Sequence, residues 1–120
     1  MEVWQKGMDL AVEIFNMTCS LPKCEDYGLT PQIRRASCSV HANIAEGFGR
    51  STKPDKSRFY IISKGSATET QSHIEYGKRV KYFKDEKADA MIENYQNLIH
   101  DLNKLIKSLS NSQSQPQPQP

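Results

Sequence analysis

The chain has 120 residues and a mass of 13.7 kDa, which leaves room for one compact unit and excludes a two-domain enzyme. Its 16 basic and 14 acidic side chains sum to a net charge of +2, too balanced for the chain as a whole to be read as a nucleic-acid or membrane binder. Leu, Ile, Val and Phe supply about 20% of the residues, enough for a small core with little surplus, and such thin elements gain burial by associating.

Four segments show helical periodicity. From Glu2 to about Cys19, one apolar row holds Val3, Leu10, Ile14 and Met17, and a second holds Trp4, Met8, Ala11 and Phe15, which predicts a wide buried face. Pro22 pushes the preceding residue out of the helical region and ends this helix, and residues 24–29 read as a loop. Thr30 followed by Pro31 reads as an N-cap with proline at the first helical position, starting a second helix that stops at Gly47 or Phe48. Its interior is crowded with Ala36, Ser37, Cys38, Ser39, Ala42 and Ala45, small enough for a neighbouring helix to approach closely or to leave a groove for a ligand.

The run from Ser51 to Asp55 supplies another cap and proline, starting a third helix that carries Phe59, Ile62, Ser66 or Ala67, Thr70, Ile74 and Gly77 and reaches about Lys81. Gly65 and Gly77 inside it each cost about 1 kcal/mol relative to alanine, so a close backbone contact is expected at both. The fourth helix, from Asp85 to Leu109, is the clearest. Ala88, Tyr95, Leu102 and Leu109 form one row, Met91, Leu98 and Leu105 a second, and Ile92, Ile99 and Ile106 a third, the wide stripe of a bundle helix. Residues 110–120, SNSQSQPQPQP, read as a disordered or polyproline tail, so the ordered domain is expected over 1–109.

Convergent catalytic groups are scarce. His41, His73 and His100 are isolated, without the helical pair spacing of a zinc or di-iron site, so no metal and no cofactor are expected. Cys19, Cys24 and Cys38 are odd in number and read as reduced thiols. No basic leader precedes an apolar stretch, and no apolar run approaches the roughly 18 residues of a membrane span, so a cytoplasmic protein with no membrane partner is expected. Gly47-Phe48-Gly49-Arg50 follows a helix rather than a strand, which excludes a dinucleotide-type phosphate loop. Asn43 and Glu46 are three apart on one helix face and read as a polar pair within a hydrogen-bond network rather than as acid–base machinery.

The even total conceals two basic segments. Residues 28–58 carry +4 through Arg34, Arg35, Arg50, Lys53, Lys56 and Arg58, and residues 78–84 carry another +4 through Lys78, Arg79, Lys81 and Lys84. These ten side chains are the nucleic-acid-binding candidates, with Tyr82 and Phe83 placed either to stack on unpaired bases or to cap the core.

Val3-Trp4-Gln5-Lys6-Gly7-Met8-Asp9-Leu10-Ala11, then YGLT-x-QIRRA from Tyr27 to Ala36, NIAEG-x-GR from Asn43 to Arg50, and Phe59, Gly65-Ser66-Ala67 and Glu69 occur in an order that is specific as a set. The chain resembles, from about Val3 to Leu105, the four-helix bundle proteins encoded by intervening sequences of 23S ribosomal RNA genes, a family that includes the accessory proteins of diversity-generating retroelements. The resemblance implies an all-α, antiparallel up-down-up-down bundle without catalytic activity, assembling into a ring-like homopentamer, with Asn43, Glu46, Gly47 and Gly49 as structural motif residues and RNA, DNA or another protein as partner. Three positions depart from the family pattern: His41 replaces a common proline, Thr70 a leucine and Lys81 a glycine. The sequence therefore predicts a non-enzymatic, oligomeric bundle that binds RNA or DNA through basic helix ends; the alternative is a protein-assembly scaffold without nucleic-acid binding.

Overall fold

The computed structural model describes residues 1–113, with side chains through Ser110. Among them are four helices, α1 (Glu2–Thr18), α2 (Leu29–Phe48), α3 (Lys53–Arg79) and α4 (Asp85–Gln113), one 3₁₀ turn (Lys23–Glu25) and no strand. All four lie where the periodicity puts them. α4 runs four residues past the expected boundary at Leu109; residues 114–120 of the expected tail lie outside the described residues.

Apolar spacing explains what each helix buries. α4 sinks Ala88, Met91, Tyr95, Leu98, Ile99 and Leu102, against Ile14 of α1, Ile33, Val40 and Ile44 of α2, and Ala67 and Ile74 of α3. Each large aliphatic side chain so buried stabilises the fold by about 1.5–3 kcal/mol. The helices meet in pairs whose residue numbers run in opposite senses. α2 and α3 touch through Gly47 with Tyr60, Val40 with Ser63, Ser39 with Ser66 and Arg35 with Glu69. α3 and α4 touch through Gln71 with Ile92 and Lys78 with Asp89. α1 meets α2 through Gly7 with His41 and Thr18 with Arg34, and α4 through Lys6 with Asp101 and Glu13 with Lys87.

The start of α3 is local chemistry, and it is as expected: the Thr52 hydroxyl accepts the Asp55 N–H at 3.3 Å, with Pro54 in the first turn. The start of α2 corrects the expectation. Gly28, not Thr30, is the N-cap residue, and Thr30 and Pro31 sit inside the first turn. The capping oxygen comes from the preceding 3₁₀ turn, where Glu25 Oε1 accepts the Leu29 N–H at 2.9 Å and Oε2 accepts the Tyr82 hydroxyl at 2.7 Å. The Thr30 hydroxyl is left buried without a partner among the described residues. Pro31 still sacrifices no helical bond, because first-turn N–H groups have no intrahelical acceptor.

α3 ends in a Schellman turn: Tyr82 N–H donates to Gly77 O at 2.8 Å, and Lys81 N–H to Lys78 O at 3.1 Å. Lys81 occupies the left-handed position of this turn, φ 69°, which explains why a glycine was expected there. The two glycines of α3 differ. A Cβ on Gly77 would meet the Phe83 ring, so the expected close contact exists, with a ring rather than a backbone. Gly65 has nothing within 4 Å, which corrects the expectation for a single chain. The small residues of α2 also divide: Ala36 and Ser37 are buried, whereas Cys38, Ala42 and Ala45 face outward, where no helix of the same chain needs their small size.

Candidate nucleic-acid interface

The basic candidates fall into separate groups. Arg50, Lys53, Lys56 and Arg58 surround the α2–α3 turn, and Lys78, Arg79, Lys81 and Lys84 the α3–α4 turn. At 1.5 Å rise per residue, α3 holds Lys56 and Arg79 about 35 Å apart. Arg34 and Arg35 sit near the start of α2, at the same end as the second group.

Eight of the ten are engaged within the chain. Arg34 donates to Thr18 Oγ1 at 2.8 Å and lies 4.5 Å from the centre of the Phe15 ring, pinned on the C-terminal end of α1. Lys56 donates to Phe48 O at 2.8 Å, closing the C-terminal end of α2. Arg50 pairs with Glu46 at 3.1 Å and Asp55 at 3.8 Å and stacks on Phe59; Arg58 shares Asp55 and the same ring. Arg35 pairs with Glu69, Lys78 with Asp89 and Arg79 with Glu75. The short bond to Asp89 also raises the pKa of Lys78. Lys53 is likewise engaged. Lys81 and Lys84 are exposed and make no ion pair among the described residues.

The aromatic neighbours cap the fold rather than stand ready for bases. Phe83 is buried on Gly77, and Tyr82 gives its hydroxyl to Glu25, a bond that raises the tyrosine pKa strongly. The Leu29 N–H and the Tyr82 hydroxyl in turn hold the Glu25 carboxyl below its usual range.

The motif residues act locally. Asn43 Nδ2 donates to Ser39 O and Ser39 Oγ at 2.8 and 2.9 Å, and Glu46 turns to Arg50, so the expected Asn43–Glu46 pair is not formed. The chain folds back after α2 and brings Arg50 to Glu46, a charged partner that outcompetes a neutral amide. Gly47 lets the Tyr60 ring and the Lys56 carbonyl approach, since a Cβ there would lie 2.7 Å from Tyr60 Cε1. Gly49 closes α2 in a right-handed conformation, φ −80°.

Periodicity alone misses a second surface. Trp4, Met8, Val12 and Phe15 continue from Met1 down one side of α1, beside Cys38, Ala42, Ala45 and Phe48 of α2. Met1, Val12, Phe15 and Phe48 remain 49, 52, 53 and 64% exposed; of the second α1 row expected to be buried, Ala11 is buried, Trp4 and Met8 are partly covered and Phe15 is exposed. Met1, Trp4, Ala45 and Phe48 line a hollow of about 240 Å³ between the two helices. None of these nine side chains is charged.

Four helices, with glycine–aromatic contacts locking the α2–α3 and α3–α4 junctions, define an all-α four-helix protein. A family described as 23S rRNA-intervening sequence protein matches residues 1–104, and the chain belongs to that family. In fold it is similar to the crystal structure of a protein of unknown function from the S23 ribosomal protein family of Bacteroides thetaiotaomicron, with a TM-score of 0.80 and 24% identity over 88% of this chain and 98% of that one. Among curated proteins none matches the chain. Among the described residues no helix is long and apolar enough to cross a membrane.

Proposed function

We propose that this chain is a non-enzymatic assembly protein, an antiparallel up-down-up-down four-helix bundle that self-associates into a ring-like homo-oligomer, a homopentamer by family resemblance. The observation that carries the reading is the apolar face of α1 and α2, bordered by Arg34 over the Phe15 ring and Lys56 over the Phe48 ring, on which Val12, Phe15 and Phe48 keep half or more of their surface in an isolated chain. Contiguous exposed apolar surface of this kind marks a contact face. The opposite residue order of every helix pair supports the antiparallel bundle. The groups with shifted pKa values support a structural role: Tyr95 lies in the core, Glu25 with Tyr82 caps α2, and Lys6 with Asp101 ties α1 to α4. The polar partners are spent on each other or on a helix end, Glu25 on Leu29 and Tyr82 and Lys6 on Asp101, which supports a structural use of these groups. In this reading the protein works in the bacterial cytoplasm, where the exposed Cys19, Cys24 and Cys38 stay reduced. Light scattering on the purified chain tests it: a mass several times 13.7 kDa is expected, falling to the monomer in Val12→Glu with Phe15→Glu, and a monomeric wild type sinks the reading.

Binding of RNA or DNA at the bundle ends is the second reading, supported by Lys81 and Lys84, which are exposed and carry no ion pair among the described residues. Fluorescence anisotropy across a salt series decides it. Affinity should fall steeply with salt, and removing both lysines should lower the logarithmic salt slope by about 1–2. Absence of binding at low salt leaves the assembly role alone.

A further inference from the structure

A ring demands more than one sticky face. Rotation by any cyclic operator other than a dimer brings two different surfaces of the same chain together, so the α1–α2 face of one subunit must meet another surface of the next. The outer side of α3 has the complementary character. Ile61, Gly65, Thr68, Ser72 and Tyr76 recur at steps of three and four residues, all exposed and all uncharged, over four helical turns. Ile61 and the adjacent Ile62 are 49 and 42% exposed. The Thr68 hydroxyl donates back to Lys64 O of its own helix at 3.1 Å, leaving its methyl group for packing. Gly65 has only open space beside it, although a glycine in mid-helix is unfavourable by about 1 kcal/mol unless something approaches closely. Among the described residues of the same chain, none does so.

The two faces also stand at matching heights. Gly7 lies opposite His41 and Thr18 opposite Arg34, which sets Val12 near Cys38; Ser39 lies opposite Ser66, which brings that level to Gly65. Met8, by the same reckoning, stands level with Ser63 and Lys64, one residue beyond Ile62, and Phe15 with Thr68. A ring axis parallel to the helices preserves these levels from one subunit to the next. Phe15 and Phe48 each expose about 100 Å². With Met1, Val12 and the partly covered Trp4 and Met8, the face supplies several hundred of the roughly 800 Å² per partner of a stable interface.

We propose, building on the self-assembly reading above, that the subunit contact is head-to-tail: the bulky α1–α2 face of one copy packs on the small-residue face of α3 of the next, with Val12 seated over Gly65. The occupant of each face is therefore a second copy of this chain, and the exposed mid-helix glycine is the point of closest approach.

Charge exchange across the contact tests the pairing. Val12→Glu and Gly65→Lys, each alone, should raise the dissociation constant at least tenfold in concentration-dependent light scattering, with an unchanged circular dichroism spectrum showing that each chain remains folded. Combined in one chain they should restore the assembly, because the new carboxylate of one subunit meets the new ammonium of the next. Gly65→Trp should block assembly on steric grounds alone. A wild-type mass retained by both Gly65→Lys and Gly65→Trp, or no recovery in the combined chain, overturns the pairing while self-association stands. A monomeric wild type overturns the assembly reading and this proposal with it.

Discussion

Two glycines on the same helix should respond to alanine with opposite signs. At Gly77 a new Cβ would lie 2.5 Å from Phe83 Cδ2 and nearer still to Cε2, whereas ordinary contact begins near 3.4 Å. The ring would have to move by about 1 Å within a buried site. Forced overpacking destabilises by about 1–3 kcal/mol, and expelling the ring forfeits about 1.5–3 kcal/mol of burial. Against either stands the gain of about 1 kcal/mol in helix propensity. Gly77→Ala should therefore destabilise by up to about 2 kcal/mol, and Gly65→Ala, with open space around it, should stabilise by about 0.5–1 kcal/mol. Urea unfolding followed by circular dichroism in the monomeric Val12→Glu, Phe15→Glu background, where no subunit contact enters, reads both. Truncating Phe83 to alanine first should turn the Gly77→Ala change neutral or favourable. Equal stabilisation by alanine at both positions would refute the account of the Gly77–Phe83 contact.

The Tyr95 hydroxyl is buried without a partner among the described residues, and burial raises its pKa strongly, so Tyr95→Phe should be neutral or stabilise by up to about 1 kcal/mol; a loss of stability in urea unfolding would show that the hydroxyl is bonded. Lys81→Gly should relieve the left-handed backbone at the α3–α4 turn and raise stability by about 1 kcal/mol by thermal melting, with no gain if the turn tolerates lysine. Burial lowers the pKa of His41 from its ordinary 6.5, so the unfolded chain takes up the proton first and stability should decline as pH falls below about 6.5 to the folded value, a step absent in His41→Gln. Glu25, also lowered, stabilises fully above its ordinary 4.5 and should lose that contribution as pH falls through its folded pKa, a second step removed by Glu25→Gln.

What could be read from sequence depended on how far the partner lay along the chain. The α3 cap was legible because Thr52 and Asp55 are three residues apart, and the α4 stripe because its seven-residue rows need no knowledge of their neighbours. The α2 cap was not, since Glu25 reaches Leu29 from a loop braced by Tyr82, 57 residues away. The basic segments are plain in the residue order, yet charge counting is blind to partners such as Glu69 for Arg35 and Asp89 for Lys78. Spacing likewise assigned Trp4, Met8 and Phe15 to an apolar side of α1 without revealing that no helix of the same chain fully covers it.

Neither α1 nor α2 carries a basic residue in its own last turn. The cation at each terminus is supplied from the next helix, Arg34 of α2 on the end of α1 and Lys56 of α3 on the end of α2. A helix finished by its successor cannot be completed until that successor has docked. Melting at one junction therefore exposes the carbonyl end of the helix before it, and α1, α2 and α3 should gain and lose protection from hydrogen exchange together, as one cooperative unit.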